Sequence, residues 1–226
     1  MVGDGEISVE DLAARVRDRA GARVGRYVLG IAGPPGAGKS TLATALRDTV
    51  NAAAGAPVAE VAPMDGFHLT NAELRVAGAL ARKGEPDTFD VAGYLDGLRK
   101  LRELPLGQPL PWPVYDRVRH EPVPGGVVFE GQSIAITEGN YLLLDDGGTA
   151  GWSAVREYLD EGWYLDAPAE LLRKRLVHRH VRGGKSEEFA RAKVARSDLL
   201  NAELVSATRR HADLTLRASG SRYLVL

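Results

Sequence analysis

Residues 33–40 read Gly-Pro-Pro-Gly-Ala-Gly-Lys-Ser, which is a Gly-x4-Gly-Lys-Ser signature. An apolar run at 27–32 precedes it, and Leu42, Leu46 and Val50 form one helical stripe after it, so the signature lies between a buried strand and a helix. Glycine permits the backbone conformations that turn successive N–H groups inward, and the N-terminus of a helix attracts anions. The signature therefore predicts a loop that holds a polyphosphate with its main chain.

Two side chains of this loop have expected roles of their own. Lys39 would reach the β- and γ-phosphates of a nucleotide, and the Ser40 hydroxyl would bind Mg²⁺. The residues expected to surround the phosphates are Gly33, Gly36, Ala37, Gly38, Lys39, Ser40 and Thr41. The alternative is a chance match to a glycine-rich turn, and the flanking strand and helix argue against it.

The composition limits the classes of protein to which the chain can belong. Its 29 basic residues are balanced by 30 acidic ones, which does not favour nucleic acid or an anionic membrane as a partner. There is no cysteine, so disulfides and thiolate chemistry are excluded. The N-terminus is acidic and lacks an apolar segment, so we expect a cytoplasmic protein. A length of 226 residues suits a single domain, 1–226, and a homodimer is left open.

The order of apolar runs predicts the fold class. Runs at 58–62, 133–137, 162–165 and 213–216 predict short strands, and amphipathic segments between them predict helices. Strands that alternate with helices favour a mainly parallel sheet with helices on both faces, a three-layer α/β/α arrangement. Glycines and prolines cluster between 104 and 132, so this excursion is expected to hold loops and short strands.

Two capping patterns predict where helices begin. Ser8 with Asp11 predicts a helix through about Ala20. Thr70 followed three residues later by a glutamate predicts another, through about Arg82.

Acidic residues directly follow two of the predicted strands. Ligands of open α/β sheets bind beyond the carboxyl ends of the strands, which is where Asp65 and Glu138 lie. Phosphoryl transfer to a hydroxyl needs one carboxylate that orients the nucleophile and accepts its proton, and a second acid that positions Mg²⁺. We expect Asp65 in the first role and Glu138 in the second. The alternatives are an Asp-Gly turn at 65–66 and a surface acid at a strand end.

Four further motifs follow the phosphate loop. In chain order they are Pro-Met-Asp-Gly-Phe-His at 63–68, Arg-Lys-Gly-Glu-Pro-Asp-Thr-Phe-Asp at 82–90, Pro-Val-Tyr-Asp-Arg-Val-Arg-His at 113–120 and Thr-Glu-Gly-Asn-Tyr at 137–141. With the loop they resemble the P-loop kinases of the uridine kinase, phosphoribulokinase and type I pantothenate kinase group, over roughly residues 26–216. Within that group the chain looks most like bacterial proteins labelled nucleoside/nucleotide kinase or fructose-transport-system kinase.

The resemblance implies a P-loop NTPase fold and an ATP-dependent small-molecule kinase. Such an enzyme transfers the γ-phosphoryl group of Mg-ATP to a hydroxyl of a nucleoside or sugar-like acceptor. The resemblance implies Asp65 as the catalytic base and Glu138 as the acid of a Walker B-like strand. It also implies that Asp90, Tyr115 and His120 line the acceptor pocket.

The identity of the acceptor is left open by the residues that follow Asp65. Gly-Phe-His stands where uridine kinases have a Ser-Phe-Tyr-like sequence, and the pattern is nearer to that of pantothenate kinases. His68 either binds the acceptor or packs structurally. Asp116 and Arg117 either form an ion pair with each other or touch the substrate.

The densest run of basic residues lies at about 173–187. In the kinases that the chain resembles, the equivalent helix and loop form a lid that places arginines over the phosphates, where they neutralise charge and exclude water. The candidates here are Arg175 and Arg182, which would bind phosphate, and Arg179, which would act in catalysis. The alternative is a solvated basic face of a helix.

Two other functions compete with a nucleoside or sugar kinase. One is a kinase of the pantothenate type or for another metabolite. The other is a nucleotide-hydrolysing switch protein, in which 104–132 would be an interaction module. The order of the motifs favours a kinase. A dinucleotide-dependent oxidoreductase is excluded because the glycines at 33, 36 and 38 lack the Gly-x-Gly-x-x-Gly spacing.

Overall fold

The computed structural model of the protein describes residues 5–145 and 151–226. Its strands are β1 (Glu6–Ile7), β2 (Tyr27–Ala32), β3 (Ala59–Pro63), β4 (Leu110–Asp116), β5 (Glu121–Phe129), β6 (Ile134–Glu138), β7 (Glu161–Asp166), β8 (Leu214–Ser219) and β9 (Arg222–Val225). Its α-helices are α1 (Val9–Gly21), α2 (Lys39–Ala54), α3 (Asn71–Val76), α4 (Val91–Glu103), α5 (Ala169–Arg182), α6 (Glu187–Lys193) and α7 (Leu199–Ser206).

Seven strands form one sheet in the order β1-β9-β8-β7-β2-β6-β3. The five strands from β8 to β3 are parallel, whereas β9 and β1 add an antiparallel edge. All six residues of the central strand β2 are buried, because apolar side chains cover both faces of the sheet. One covering cluster includes Leu42 and Trp163, and the other includes Tyr94 and Trp152. The predicted three-layer α/β/α fold with a mainly parallel sheet is confirmed.

The two predicted capping boxes are both present, but one of the helices is shorter than expected. Ser8 and Thr70 each accept a hydrogen bond from the main chain three residues on, at the starts of α1 and α3. Helix α1 ends at Gly21, close to the predicted end. The prediction of one helix from Thr70 to about Arg82 is wrong: α3 ends at Val76, because Gly78 takes a left-handed conformation with φ +64° that a helix cannot continue through.

The excursion between 104 and 132 forms the antiparallel hairpin β4–β5, which packs against the segment that follows β3. The indole N–H of Trp112 donates to the carbonyl of Pro63 over 3.0 Å. A Cβ atom on Gly66 would lie only 2.1 Å from the carbonyl oxygen of Pro113, so the hairpin backbone lies against this glycine. The hairpin is thereby fixed beside the end of β3.

The C-terminal third of the chain is largely helical before the last two strands. Helix α6 begins after Ser186, whose hydroxyl accepts a hydrogen bond from the Phe189 N–H, and leads through one π-helical turn (Val194–Asp198) into α7. Within the described residues, no helix is both long and apolar enough to cross a lipid bilayer.

Replacement of Gly66 by alanine should disturb the packing of the hairpin against the segment that follows β3. The new methyl group would overlap the backbone of Pro113, and overpacking of this kind costs about 1–3 kcal/mol. We therefore expect Gly66→Ala to lower the free energy of unfolding in urea titrations, with loss of activity. Gly131→Ala is the control, because no atom lies within 4 Å of the place that its Cβ would take. Equal stability of both variants would contradict the close packing at Gly66.

Candidate active site

The carboxyl ends of three neighbouring strands define the site. In the parallel ladders, Glu138 of β6 lies opposite Ile31 of β2 on one side and Pro63 of β3 on the other. The 33–40 loop leaves β2 one residue after Ala32, and Asp65 follows Pro63 by two residues. The phosphate loop and both candidate acids therefore lie at one edge of the sheet, as ligand sites in such sheets do.

The loop has the backbone that its glycines predict. Gly33, Gly36 and Gly38 have φ values of +149°, +85° and +108°. A Cβ atom at Gly33 would lie 2.4 Å from the carbonyl oxygen of Leu165, so no other residue fits there. Helix α2 begins directly after Gly38, whose lack of a side chain leaves the first-turn N–H groups uncapped. Such an uncapped helix start can bind an anion.

The ammonium group of Lys39 is buried near the carboxyl ends of these strands. It donates to the side-chain oxygen of Asn140 over 2.8 Å and to the carbonyl of Pro34 over 3.1 Å. Burial lowers the pKa of Lys39 to about 8, although the charges of Glu138 and Asp65 oppose this shift. A bound polyphosphate would add negative charge next to this buried cation.

The residues around Ser40 have the chemistry that a magnesium ion requires. The Ser40 hydroxyl donates to a carboxylate oxygen of the buried Glu138 over 2.9 Å. Burial and the charge of Asp65 raise the pKa of Glu138, whereas Lys39 and Ser40 act in the opposite direction. Hydroxyl and carboxylate oxygens are ligands of Mg²⁺, which takes few protein ligands and completes its shell with phosphate and water. The described residues contain no cluster of three or more acids, histidines or cysteines that could enclose a metal.

Asp65 lies in a 3-10 turn (Met64–Phe67) that follows β3. Its main-chain oxygen accepts a hydrogen bond over 2.8 Å from the Nδ1 atom of His68, which must therefore carry a proton. Gly66 does not have a positive φ, so the Asp-Gly pair is not a glycine turn; the glycine is needed for contact with the hairpin. Arg117 of the hairpin lies 3.7 Å from the carboxylate of Asp65.

Aromatic side chains form a wall next to Asp65. The ring of His68 lies between Phe89 and Tyr115, with centroid distances of 4.0 and 4.6 Å. Burial lowers the pKa of His68 and raises that of Tyr115 to about 12, so both rings are neutral near pH 7. The Lys83 ammonium lies 5.4 Å from the centre of the Tyr115 ring. The wall suits the apolar part of a small ligand.

The residues implied as acceptor-binding have different surroundings in the structure. The 63–68 and 82–90 motifs run side by side, since the N–H of Asp90 donates to the Phe67 carbonyl over 2.8 Å. The Asp90 carboxylate caps α4 by accepting from Gly93 N–H, and it is exposed. His120 lies in the hairpin turn with φ +55° and is exposed, and its carbonyl accepts a hydrogen bond from Lys83 over 2.8 Å.

The three arginines predicted to belong to a lid have different surroundings. Arg175 donates to the carbonyls of Gly36 and Ala37, both over 3.1 Å, and so contacts the phosphate loop directly. Arg179 lies 3.7 Å from a carboxylate oxygen of Asp198, and its charge also acts on Lys39. Arg182 is exposed at the last position of α5.

Sequence reasoning missed three residues at this site. Asn140, which accepts a hydrogen bond from Lys39, lies inside the 137–141 motif, and its place in that motif could have identified it. Lys83 lies inside the 82–90 motif in the same way. Asp198, which binds His180 over 2.7 Å and faces Arg179, lies in no motif, and no signal in the sequence would have found it.

Comparison with known proteins agrees with this geometry. The model of the phosphoribulokinase / uridine kinase family matches residues 28–221. The chain belongs to this family. The resemblance inferred from the motifs is thereby confirmed, and the chain is a kinase of the P-loop type.

Several relatives are similar over most of the chain. The uncharacterized protein YggC of Escherichia coli (strain K12) is 38% identical over 84% of this chain and 76% of its own length. A pantothenate kinase of Chelativorans sp. (strain BNC1) is 34% identical over 69% of this chain, which spans half of that protein. The crystal structure of a "putative fructose transport system kinase" from Silicibacter sp. TM1040 superposes with a TM-score of 0.83 at 36% identity, over 92% of this chain and 98% of the other.

The buried charge of Lys39 should make stability depend on pH. Its pKa is about 8 in the folded chain but near 10.5 when unfolded, so between these values the unfolded state binds more protons and the free energy of unfolding rises with pH. Relative to Lys39→Met, the unmodified protein should gain about 1 kcal/mol from pH 8 to pH 9. Urea titrations in phosphate-free buffer measure this difference. An unchanged difference over that range would contradict the burial of the charge.

Proposed function

We propose that this kinase transfers the γ-phosphoryl group of Mg-ATP to a hydroxyl group of a small nucleoside- or sugar-like acceptor. The observation that carries the proposal is the meeting of Lys39, Glu138 and Asp65 at one edge of the sheet, where the charge of Asp65 acts on the other two. The charge of Asp65 reaches the loop residue Lys39, and its main chain binds His68 of the aromatic wall. A base between donor and acceptor is what phosphoryl transfer to an alcohol requires.

On the donor side, the main chain of the 33–40 loop would bind the phosphates with Lys39 and Thr41. Ser40 and Glu138 would hold Mg²⁺, which, when bound, neutralises charge on the phosphates. Arg175 already contacts the loop and would add a cation there. We place Arg179 and Arg182 over the phosphates when the lid closes, because both lie on the same helix as Arg175.

On the acceptor side, Asp65 would orient the hydroxyl and accept its proton. The acceptor oxygen forms a bond to the γ-phosphorus while the bond from that phosphorus to the bridging oxygen breaks, and the electron pair leaves with ADP. Lys39 and Arg179 would stabilise the negative charge during transfer. His68, Tyr115, Asp90 and His120 would line the acceptor pocket, with the two neutral rings as its wall.

A pantothenate-type kinase is the second candidate within this reaction class. The Gly-Phe-His sequence after Asp65 and the similarity to a protein named pantothenate kinase favour it. A nucleotide-hydrolysing switch is the third candidate. The hairpin argues against that switch, because its Trp112 binds the end of β3 and its Tyr115 ring packs against His68, so it belongs to the candidate site.

A panel of acceptors tests the proposed activity. ADP release from Mg-ATP is measured with uridine, cytidine, pantothenate, fructose, ribulose 5-phosphate and glycerate. We expect at least one of these to raise the rate well above the rate without acceptor. Release that no acceptor stimulates would favour the nucleotide-hydrolysing switch.

Substitutions at the two sides of the site should have separable effects. Lys39→Ala should abolish phosphoryl transfer by weakening the hold on the phosphates. Asp65→Asn should still bind ATP, yet lose about 100-fold or more in kcat, since positioned general bases contribute 10²–10⁴-fold. Binding is followed by calorimetry with ATP and turnover by ADP release. Asp96→Asn, at a half-exposed acid of α4 that pairs with Arg99, is the control. If Asp65→Asn kept most of its acceptor-dependent rate, Asp65 would not be the base.

A further inference from the structure

Building on the proposed kinase function, we propose that the acceptor carries an acidic group, a carboxylate or a phosphate, which Arg117 and Lys83 bind at the rim of the acceptor pocket. The two cations come from different parts of the chain. Arg117 belongs to the turn of the β4–β5 hairpin, and Lys83 to the loop that precedes α4.

The guanidinium of Arg117 has N–H donors available for a ligand. Its guanidinium lies 3.7 Å from the Asp65 carboxylate, which is within ion-pair range but too long for a hydrogen bond. Its side chain is 64% exposed, so a ligand can reach it. The neighbouring Arg119 is different: it faces Asp116, the last residue of β4, also at 3.7 Å, and is still more exposed. Of these two arginines, only Arg117 is directed at the proposed base.

Lys83 is a fixed cation without an ion-pair partner among the described residues. Its ammonium donates to the side-chain oxygen of Asn71 and to the carbonyl of His120, each over 2.8 Å, and both acceptors are neutral. The acid whose charge acts on it, Glu121, is itself bound to the main-chain N–H of Asn71. Burial lowers the pKa of Lys83. A cation that is partly removed from water without a paired acid is costly, and an anionic ligand would offset that cost.

Both cations act on the same part of the pocket. The charges of Lys83 and Arg117 each lower the pKa of His68, the ring at the centre of the aromatic wall. The Lys83 ammonium also lies over the Tyr115 ring. Next to neutral rings that exclude water, the attraction between an anion and these cations is stronger than in bulk solvent. A neutral acceptor would leave this attraction unused.

The contact between Arg117 and Asp65 gives the acidic group a second effect. An acceptor whose anion binds Arg117 would draw the guanidinium away from Asp65. The carboxylate would then be free to accept the proton of the acceptor hydroxyl. A charged acceptor would in this way both bind more tightly and release the base that it needs.

Matched pairs of acceptors test the inference. ADP release with Mg-ATP is measured for glycerate and glycerol, pantothenate and pantothenyl alcohol, and ribulose 5-phosphate and ribulose. In at least one pair the charged member should have a kcat/KM about 10-fold or more above that of its neutral partner. Arg117→Gln should lower kcat/KM for the charged member by about 10–100-fold and reduce the ratio within the pair, since hydrogen bonds to charged groups contribute about 1.5–3 kcal/mol. Arg117→Lys should restore part of the ratio, and the control Arg119→Gln should keep it.

The outcomes separate this inference from the function on which it rests. If neutral acceptors are phosphorylated as well as charged ones, the acidic group is not required and the kinase function stands. If Arg117→Gln lowers kcat/KM equally for both members of a pair, Arg117 serves the reacting groups, and the inference is again wrong. If neither member of any pair is phosphorylated but uridine, cytidine or fructose is, the inference is wrong and the kinase function stands. If no acceptor of either set is phosphorylated, both fail.

Discussion

The parallel register of three strands determines where chemistry can occur in this protein. Because Glu138 pairs with Ile31 on one side and Pro63 on the other, the segments that leave these strands start at the same height. The phosphate loop, the acid next to Ser40 and the acid at 65 are brought together by main-chain hydrogen bonds rather than by side-chain contacts. A shift of one residue in either ladder would turn the side chains of the shifted strand to the opposite face of the sheet.

The hairpin supplies the second half of the site. Trp112 and Gly66 fix it to the end of β3, and its turn then carries Arg117 to Asp65. Asp65 is therefore bordered by two units: the carboxyl ends of the strands, which hold the glycine-rich loop, and the hairpin, which lies on the other side.

The sequence allowed the sheet edge to be predicted because its parts lie within a few residues of strands that can be recognised by their apolar runs. The loop glycines, Ser40 and Glu138 are of this kind. The end of α3 was missed because one glycine, Gly78, overrides the helical pattern that continues past it. The approach of Arg117 to Asp65 and of Asp198 to Arg179 depends on tertiary packing between distant segments, which the spacing of residues does not encode.

The central claim is that a main-chain cradle holds the triphosphate while Asp65 faces its terminal phosphate from the acceptor side. A crystal structure of the protein with Mg²⁺ and a non-hydrolysable ATP analogue tests this claim most directly. The account predicts the triphosphate in the 33–40 loop, the metal at Ser40 and Glu138, and the Asp65 carboxylate directed at the terminal phosphate across a space that fits a hydroxyl. A terminal phosphate that points away from Asp65, with protein filling the space between them, would contradict it.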